Sequence, residues 1–330
     1  MRVSERVVER LEQGRELDPI AGRLASFWSV ALRSERLRDL LSGRPLGHPL
    51  HPAAVIVPAG TLLSATLLDV TGGPGTRPAA RRGGGGGRGW PPPAPGGAAP
   101  GGGGPGPPPR RRIGGGLLAA APAAAAGWAD WLDTEGAERR VGIVHATANL
   151  VGVMSYAASW WQRRRGGSGL AAGLAGATAL GVGGWLGGHL AYALGVGVDT
   201  TAFQRGPADW TDALAASEVT AVPRAVDVDG APVLLTRVNG RIVAIGNRCT
   251  HRGGPLADGE RDGDRVTCPW HGSRFELASG EAVLGPATRP QPVYEVREID
   301  GRVEIRRLEA RALRANPVGP APGRVLTGQR

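Results

Sequence analysis

Three long stretches without an acidic or basic residue constrain the fold of this chain most strongly. A helix needs about 20 residues to cross a bilayer, and the three stretches are 45–68, 141–161 and 166–198. A fourth uncharged stretch, 113–129, is shorter and ends beside Trp128 and Trp131, a residue type enriched at membrane interfaces. We expect an N-terminal transmembrane bundle of about four spans over residues 45–198. Buried helices of a soluble protein are the alternative, but the uncharged stretches are long for that interpretation.

The segments beside these spans have different patterns. Residues 1–44 place Val3, Val7 and Leu11, and later Leu24, Phe27 and Ala31, at helical spacing. They predict amphipathic helices that lie on a membrane surface or on the following domain, and ordinary solvated helices remain an alternative. Residues 72–112 are almost wholly Gly, Pro, Arg and Ala and cannot bury a core, so we expect a disordered insert. Residues 308–330 are expected to form a loose tail.

The basic charge of the chain does not indicate a nucleic-acid binder. The formal net charge is +10, but every basic residue is Arg, and short Arg blocks adjoin the apolar stretches. Basic residues in such places mark membrane orientation. The N-terminus has no continuous apolar segment after its first basic residues, so we expect no cleavable signal peptide.

Residues 207–307 change to short runs rich in β-forming residues. The runs are 224–228, 232–238, 241–245, 265–267, 293–297 and 303–306. Asp229-Gly230, Asn239-Gly240 and Asp300-Gly301 stand between them, and such pairs suit tight hairpins that need positive φ. The pattern predicts an antiparallel all-β domain, so the whole chain combines α-helices with a separate all-β domain.

Two short motifs in the β domain can bind a metal. They are Cys249-Thr250-His251 and Cys268-Pro269-Trp270-His271. Two thiolates suit one iron and two neutral imidazoles suit the other iron of a [2Fe-2S] cluster. Glycines in the loops, Gly272 among them, would let backbone N–H groups approach sulfur. Tetrahedral zinc also takes two Cys and two His, although Cys-x-His is not a usual zinc spacing.

With both motifs in view, the segment from about residue 210 to 307 resembles a Rieske domain. The resemblance implies a [2Fe-2S] cluster with Cys249, His251, Cys268 and His271 as ligands. It also implies that the run 285–288, which contains Pro286, is the loop that covers the cluster.

Differences between this chain and two subtypes of the Rieske family indicate which subtype it resembles most. The cytochrome bc type has one more cysteine in each ligand loop, joined by a disulfide, whereas Gly254 and Trp270 stand in that region here. The chain is therefore more similar to ferredoxin-like and oxygenase-associated Rieske domains. A Rieske oxygenase also needs a mononuclear iron held by two His and a carboxylate in a later domain. Because no His follows His271, we expect no self-contained oxygenase site.

Two positions after the last ligand bear on the reduction potential. High-potential members of the family have a Ser and a Tyr there, and each donates a hydrogen bond that stabilises the reduced cluster. This chain keeps Ser273 but has Phe275 where the tyrosine would stand. We therefore expect a potential in the lower or middle part of the family's range of roughly −150 to +300 mV.

The membrane part contains four histidines. The run Gly47-His48-Pro49-Leu50-His51-Pro52 resembles the start of a family of bacterial four-helix membrane proteins of unknown function, over about residues 45–198. Two of His48, His51, His145 and His189 could ligate a haem or another metal. We favour the alternative, in which they cap helices or hydrogen-bond to neighbours at the interface.

Together, these features predict a membrane-anchored one-electron carrier. One alternative is an electron-transfer subunit of a quinol-oxidising or oxygenase complex whose catalytic site is on another chain, and another is a redox or iron sensor. The expected partner is a redox protein or a quinol, with membrane lipid around the bundle. We expect an integral protein of the bacterial plasma membrane, with the cluster domain on the same side as the N-terminus and the cytoplasmic side favoured.

Overall fold

The structure, a computed structural model, describes residues 3–71 and 109–308. It divides into two compact units: the first contains Met1–Leu17, Pro52–Ala125 and Gly136–His189, and the second contains Asp18–His51, Ala126–Glu135 and Leu190–Arg330. The predicted insert 72–112 lies outside the described residues except for its last four, which are helical. The predicted tail also lies outside them except for Leu308. The predicted domain bounds stay a prediction.

Seven α-helices occupy the N-terminal part of the described chain. They are α1 (Val3–Gln13), α2 (Asp18–Ala31), α3 (Glu35–Ser42), α4 (Leu50–Thr71), α5 (Pro109–Leu132), α6 (Gly136–Arg164) and α7 (Leu170–Tyr192). Three of them, α4, α6 and α7, are long and apolar enough to cross a membrane. The predicted second span forms part of α5, which is not among these three. Membrane crossing and the count of four spans therefore stay predictions.

Small residues let the helices of the first unit approach closely. A Cβ added at Gly176 of α7 would lie 2.7 Å from the ring of Tyr156 in α6. The Tyr156 hydroxyl lies 2.7 Å from the Thr66 hydroxyl of α4, so one fully buried side chain joins three helices. A Cβ added at Gly183 of α7 would lie 2.6 Å from the Asn149 side chain of α6, whereas one added at Gly184 would meet no atom of the described residues within 4 Å outside its own stretch of helix.

The predicted N-terminal helices are confirmed as α1, α2 and α3. Ser34 caps α3 by accepting a hydrogen bond from Leu37 N–H at 3.4 Å, and Gly43 ends it in the left-handed conformation. Val7 and Phe27, two of the predicted apolar positions, are exposed. Whether they contact lipid stays a prediction.

The β part of the second unit contains two antiparallel sheets. A six-stranded sheet has the order β1-β10-β9-β4-β3-β2 and a four-stranded sheet has the order β5-β6-β7-β8. The strands are β1 (Thr211–Ala215), β2 (Arg224–Val228), β3 (Ala231–Val238), β4 (Arg241–Gly246), β5 (Glu260–Asp262), β6 (Arg265–Thr267), β7 (Arg274–Glu276), β8 (Ala282–Leu284), β9 (Val293–Ile299) and β10 (Arg302–Arg307). All six predicted strands are present, and β1, β5, β7 and β8 were not predicted.

Successive side chains of β3 pack into two different hydrophobic cores. Val233 and Leu235 pack into one apolar cluster, and Leu234 packs into another together with Cys249, Cys268 and other residues. Successive side chains of a strand point to opposite faces, so β3 is covered on both sides. The three predicted hairpin pairs all have positive φ at both residues, as tight hairpins require.

Candidate metal centre

Two loops with the same backbone pattern carry the predicted ligands. In the first loop, Cys249 N–H donates to Gly254 C=O at 2.9 Å, and Gly253 N–H donates back to Cys249 C=O at 2.8 Å. In the second, the Cys268 N–H to Ser273 C=O bond is 2.7 Å, and the Gly272 N–H to Cys268 C=O bond is 3.1 Å. Gly253 and Gly272 both have φ near the left-handed region, at 80° and 77°, which glycine adopts without a steric cost. The two motifs therefore fold as a matched pair of turns.

The four predicted ligands come together between these turns. Both cysteines are buried free thiols whose side chains hydrogen-bond to each other. The rings of His251 and His271 lie with their centroids 5.1 Å apart at an interplanar angle of 87°. His251 Nδ1 is buried and has no hydrogen-bond partner in the described part of the chain. A buried nitrogen normally has a partner, so this atom fits a metal ligand.

The protonation of His251 and Cys268 is also that of metal ligands. Burial lowers the pKa of His251 to about 3, and the positive charges of His271, Arg252 and Arg38 act in the same direction. The ring of His251 is therefore neutral. The hydrogen bond from Cys249 lowers the pKa of Cys268 to about 6, and backbone N–H groups of Trp270 and His271 act in the same direction. The bond between the thiols and burial raise the pKa of Cys249. Neutral imidazole and thiolate are the forms that bind metal.

Gly254 lets the two loops approach each other. A Cβ added there would lie 2.8 Å from Cys268 Sγ and 3.0 Å from the ring of Trp270. A larger side chain would therefore occupy the space around the second cysteine.

The loop that contains Pro286 is tied to the second ligand loop. Ala287 N–H donates to the Ser273 hydroxyl at 2.9 Å, and Ser273 is fully buried. Phe275 is also fully buried, in the core cluster that contains both cysteines. The loop from Gly285 therefore lies next to the predicted ligands, as its predicted covering role requires.

Helical segments of the same unit reach this loop and His251. The Asp39 carboxylate accepts a 2.8 Å hydrogen bond from Gly285 N–H. Asp133 Oδ2 lies 3.8 Å from His251 Nε2, and Arg38 pairs with Asp133 at 2.7 Å. Sequence reasoning missed these contacts, because nothing in the local sequence of residues so far apart indicates that they meet.

A cavity of about 360 Å³ lies beside His251. Its lining includes His48, Asp130, Thr250, His251, Pro286 and Arg289. The pKa of Asp130, which follows the predicted second span, is raised to about 8, because protein surrounds this carboxyl and Asp133 is nearby. This carboxyl is therefore largely neutral at neutral pH.

Comparison with known proteins matches this geometry to one family. The model of the Rieske [2Fe-2S] domain matches residues 209–295. Ferredoxin CarAc of Metapseudomonas resinovorans is 34% identical over 98 residues, which are 29% of this chain and 92% of the relative. This chain belongs to the Rieske [2Fe-2S] family. The ferredoxin component of the naphthalene 1,2-dioxygenase system of Pseudomonas putida is 34% identical over 97 residues, which are 29% of this chain and 93% of the relative.

Membership of the family has direct chemical consequences. The Rieske domain implies a [2Fe-2S] cluster in place of the zinc alternative, and its ferredoxin relatives imply electron transfer with a redox partner. The similarity covers less than a third of this chain. It therefore describes the Rieske domain and carries no information about the N-terminal helices.

The four histidines of the predicted membrane part have local contacts. His145 Nδ1 lies 2.8 Å from Gly183 C=O, and His189 Nε2 lies 2.7 Å from Glu12 Oε1, both within the first unit. In the second unit, a Cβ added at Gly127 would lie 2.8 Å from the His51 ring, and His48 lines the cavity. The first two contacts favour the hydrogen-bonding interpretation, and a haem stays a prediction.

Proposed function

We propose that this protein is a membrane-anchored one-electron carrier whose [2Fe-2S] cluster is held by Cys249, His251, Cys268 and His271. The two cysteines would bind one iron, and Nδ1 of each histidine the other. The observation that carries the proposal is the pair of matched ligand turns. They enclose two buried thiols and a buried imidazole nitrogen that has no hydrogen-bond partner among residues 3–71 and 109–308.

The surrounding residues support a carrier role. When bound, the cluster supplies reversible one-electron chemistry. Backbone N–H groups of His251, Arg252, Trp270 and His271 lie at the two sulfurs and stabilise their negative charge. Trp270, next to His271, is 57% exposed, whereas the His251 side chain is 15% exposed and faces the buried carboxylate of Asp133. A redox partner would therefore approach the cluster from the His271 side.

The apolar helices support membrane anchoring. α4, α6 and α7 meet the length and hydropathy that a bilayer span requires. An anchor would hold the Rieske domain near a lipid-borne quinol or a membrane oxidoreductase, and it would raise the local concentration of such a partner.

A second candidate function follows from the names of the relatives. They include the ferredoxin component of a naphthalene 1,2-dioxygenase system and the anthranilate 1,2-dioxygenase ferredoxin subunit of Burkholderia cepacia, which is 30% identical over 99 residues, 30% of this chain and 92% of its own. These names favour an acceptor of the oxygenase type on another chain. In that case the protein would deliver electrons to an oxygenase at the membrane.

The test uses membranes of a bacterium that expresses the full chain. We expect iron and acid-labile sulfide to remain with the membranes after an alkaline wash, together with a rhombic EPR signal of low average g on reduction. Reduction by added quinol would favour the quinol donor, and reduction only by NADH with a ferredoxin reductase would favour the oxygenase pathway. Membranes with the Cys268→Ser variant are the control. Release of the protein by the wash would exclude the anchor, and absence of the signal would exclude the cluster.

A further inference from the structure

A carboxylate from outside the Rieske fold faces one of the predicted cluster ligands. Asp133 directly follows the end of α5, and its Oδ2 lies 3.8 Å from His251 Nε2. Asp133 is buried, with 6% of its side chain exposed. All the residues concerned belong to the second compact unit.

Arg38 of α3 holds this carboxylate in place. Its guanidinium donates to Asp133 Oδ1 at 2.7 Å, while the other carboxylate oxygen is the one nearest His251. α3 is itself held against the Rieske fold, because Asp39 accepts the Gly285 N–H and also pairs with Arg44. The carboxylate thus has a fixed position between a cation and an imidazole.

We propose that Asp133, oriented by Arg38, is a positioning residue that places a negative charge beside the ring of His251 and lowers the reduction potential of the cluster. The inference rests on the proposed function in that His251 must be a ligand. With Nδ1 bound to iron, the ring proton is on Nε2, the atom that faces Asp133. A carboxylate behind a metal-bound histidine increases the basicity of the ring.

The sign of the effect follows from charge. Reduction adds one negative charge to the cluster, and a nearby carboxylate disfavours that charge. Burial weakens the screening of this interaction by water. Asp133 therefore stabilises the oxidised cluster, whereas the Arg38 guanidinium partly offsets the carboxylate.

The test measures the reduction potential of the purified full-length protein in detergent, by film voltammetry at one fixed pH. Asp133→Asn should raise the potential, because the shape is kept and the charge is lost. Arg38→Gln should lower it, because the carboxylate loses its counter-charge. Glu135→Gln is the matched control: it removes the same charge two residues away at an exposed position, and should leave the potential unchanged. Nitrogen couplings from pulsed EPR should change for one of the two histidines in Asp133→Asn alone.

An Asp133→Asn protein with a full cluster and an unchanged potential would overturn the proposal. If the Asp133→Asn protein does not bind the cluster, the Arg38→Gln variant provides the test. A reduction potential below that of the wild type supports the proposal, and an unchanged potential overturns it. A wild-type chain without iron would overturn both this proposal and the proposed function. A protein that binds the cluster but has the same reduction potential in the wild type and in Asp133→Asn would overturn only the proposal about Asp133.

Discussion

At the scale of single residues, the two halves of the metal centre differ in their surroundings. Both cysteines and Phe275 belong to an apolar core cluster, whereas Trp270, next to His271, is exposed. Sulfur is thus shielded from water while one imidazole edge remains near the surface. Residues around the buried sulfurs should therefore affect the potential, and the exposed surface beside His271 should govern exchange with a partner.

Loss of a single ligand should remove the cluster. We expect His271→Ala to contain only background iron and to unfold at a lower temperature, because two buried thiols then lack their metal. Trp270→Phe is the control, since Trp270 lies between two ligands but is not expected to bind iron. Iron analysis and visible absorption of the purified proteins check this. A normal spectrum in His271→Ala would contradict the assignment of that ligand.

Two further substitutions should shift the potential in opposite directions. Phe275→Tyr adds a donor near the sulfurs and should raise the potential by about 40 mV, since a hydrogen bond of about 1 kcal/mol corresponds to that shift for one electron. Ser273→Ala removes a hydroxyl and should lower the potential. Phe203→Tyr is the control, because Phe203 is 91% exposed. Film voltammetry that finds no upward shift in Phe275→Tyr would mean that other groups set the potential.

At the scale of elements, close packing in the first unit depends on which face of α7 a glycine occupies. A Cβ added at Gly176 would lie 2.7 Å from the ring of Tyr156 in α6, whereas one added at Gly181 would meet no atom of the described residues within 4 Å outside its own stretch of helix. The ring of a fully buried tyrosine that also bonds to Thr66 cannot move aside easily. The helix pair therefore requires a glycine at one position and not at the other.

This difference predicts the effect of a matched pair of variants. Gly176→Ala should destabilise the helical unit by about 1–3 kcal/mol, as overpacking does, and Gly181→Ala should leave its stability unchanged or slightly higher. The midpoint of thermal unfolding in detergent, followed by circular dichroism, measures both. Equal midpoints for the two variants would show that α6 and α7 do not pack in this way.

At the scale of the whole molecule, the predicted membrane topology depends on whether α5 crosses the membrane. Four spans would place the N-terminus and the Rieske domain on the same side of the membrane, and three spans would place them on opposite sides. α5 contains the predicted second span but is not among the three helices that are apolar enough to cross. The side on which the cluster meets its partner therefore depends on this helix.

Cysteine labelling in intact cells can distinguish the two topologies. Glu5→Cys and Val222→Cys introduce thiols at exposed positions near the N-terminus and in the Rieske domain. With four spans and a cytoplasmic cluster, neither should react with an impermeant maleimide until the cells are opened. The wild type, whose two cysteines are buried, is the control. Reaction of only one of the two variants in intact cells would exclude an even number of spans.

Much of the protein could be predicted from sequence because the signals are local. Hairpin pairs such as Asn239-Gly240 specify positive φ, and alternation predicted β2, β3, β4 and β9 nearly to their ends. The Cys-x-His and Cys-x-x-His motifs predicted the candidate ligands, because two thiolates and two imidazoles suit the two irons of a [2Fe-2S] cluster and the spacing resembles that of a Rieske domain. Of the four strands with only three residues each, β6 was predicted, whereas β5, β7 and β8 were missed because three residues are too few to show a period.

The tertiary structure decided what depends on residues distant in sequence. The matched hydrogen bonds of the two ligand turns, the contact of Ala287 with Ser273, and the approach of Asp133 to His251 are products of packing. The carboxylate of Asp133 and the ring it faces are more than a hundred residues apart in the chain. No local pattern encodes such a pair, because it forms only when separate elements bury their apolar faces together. The sequence alone therefore determined which residues can hold the cluster, and the fold determined which residues surround it.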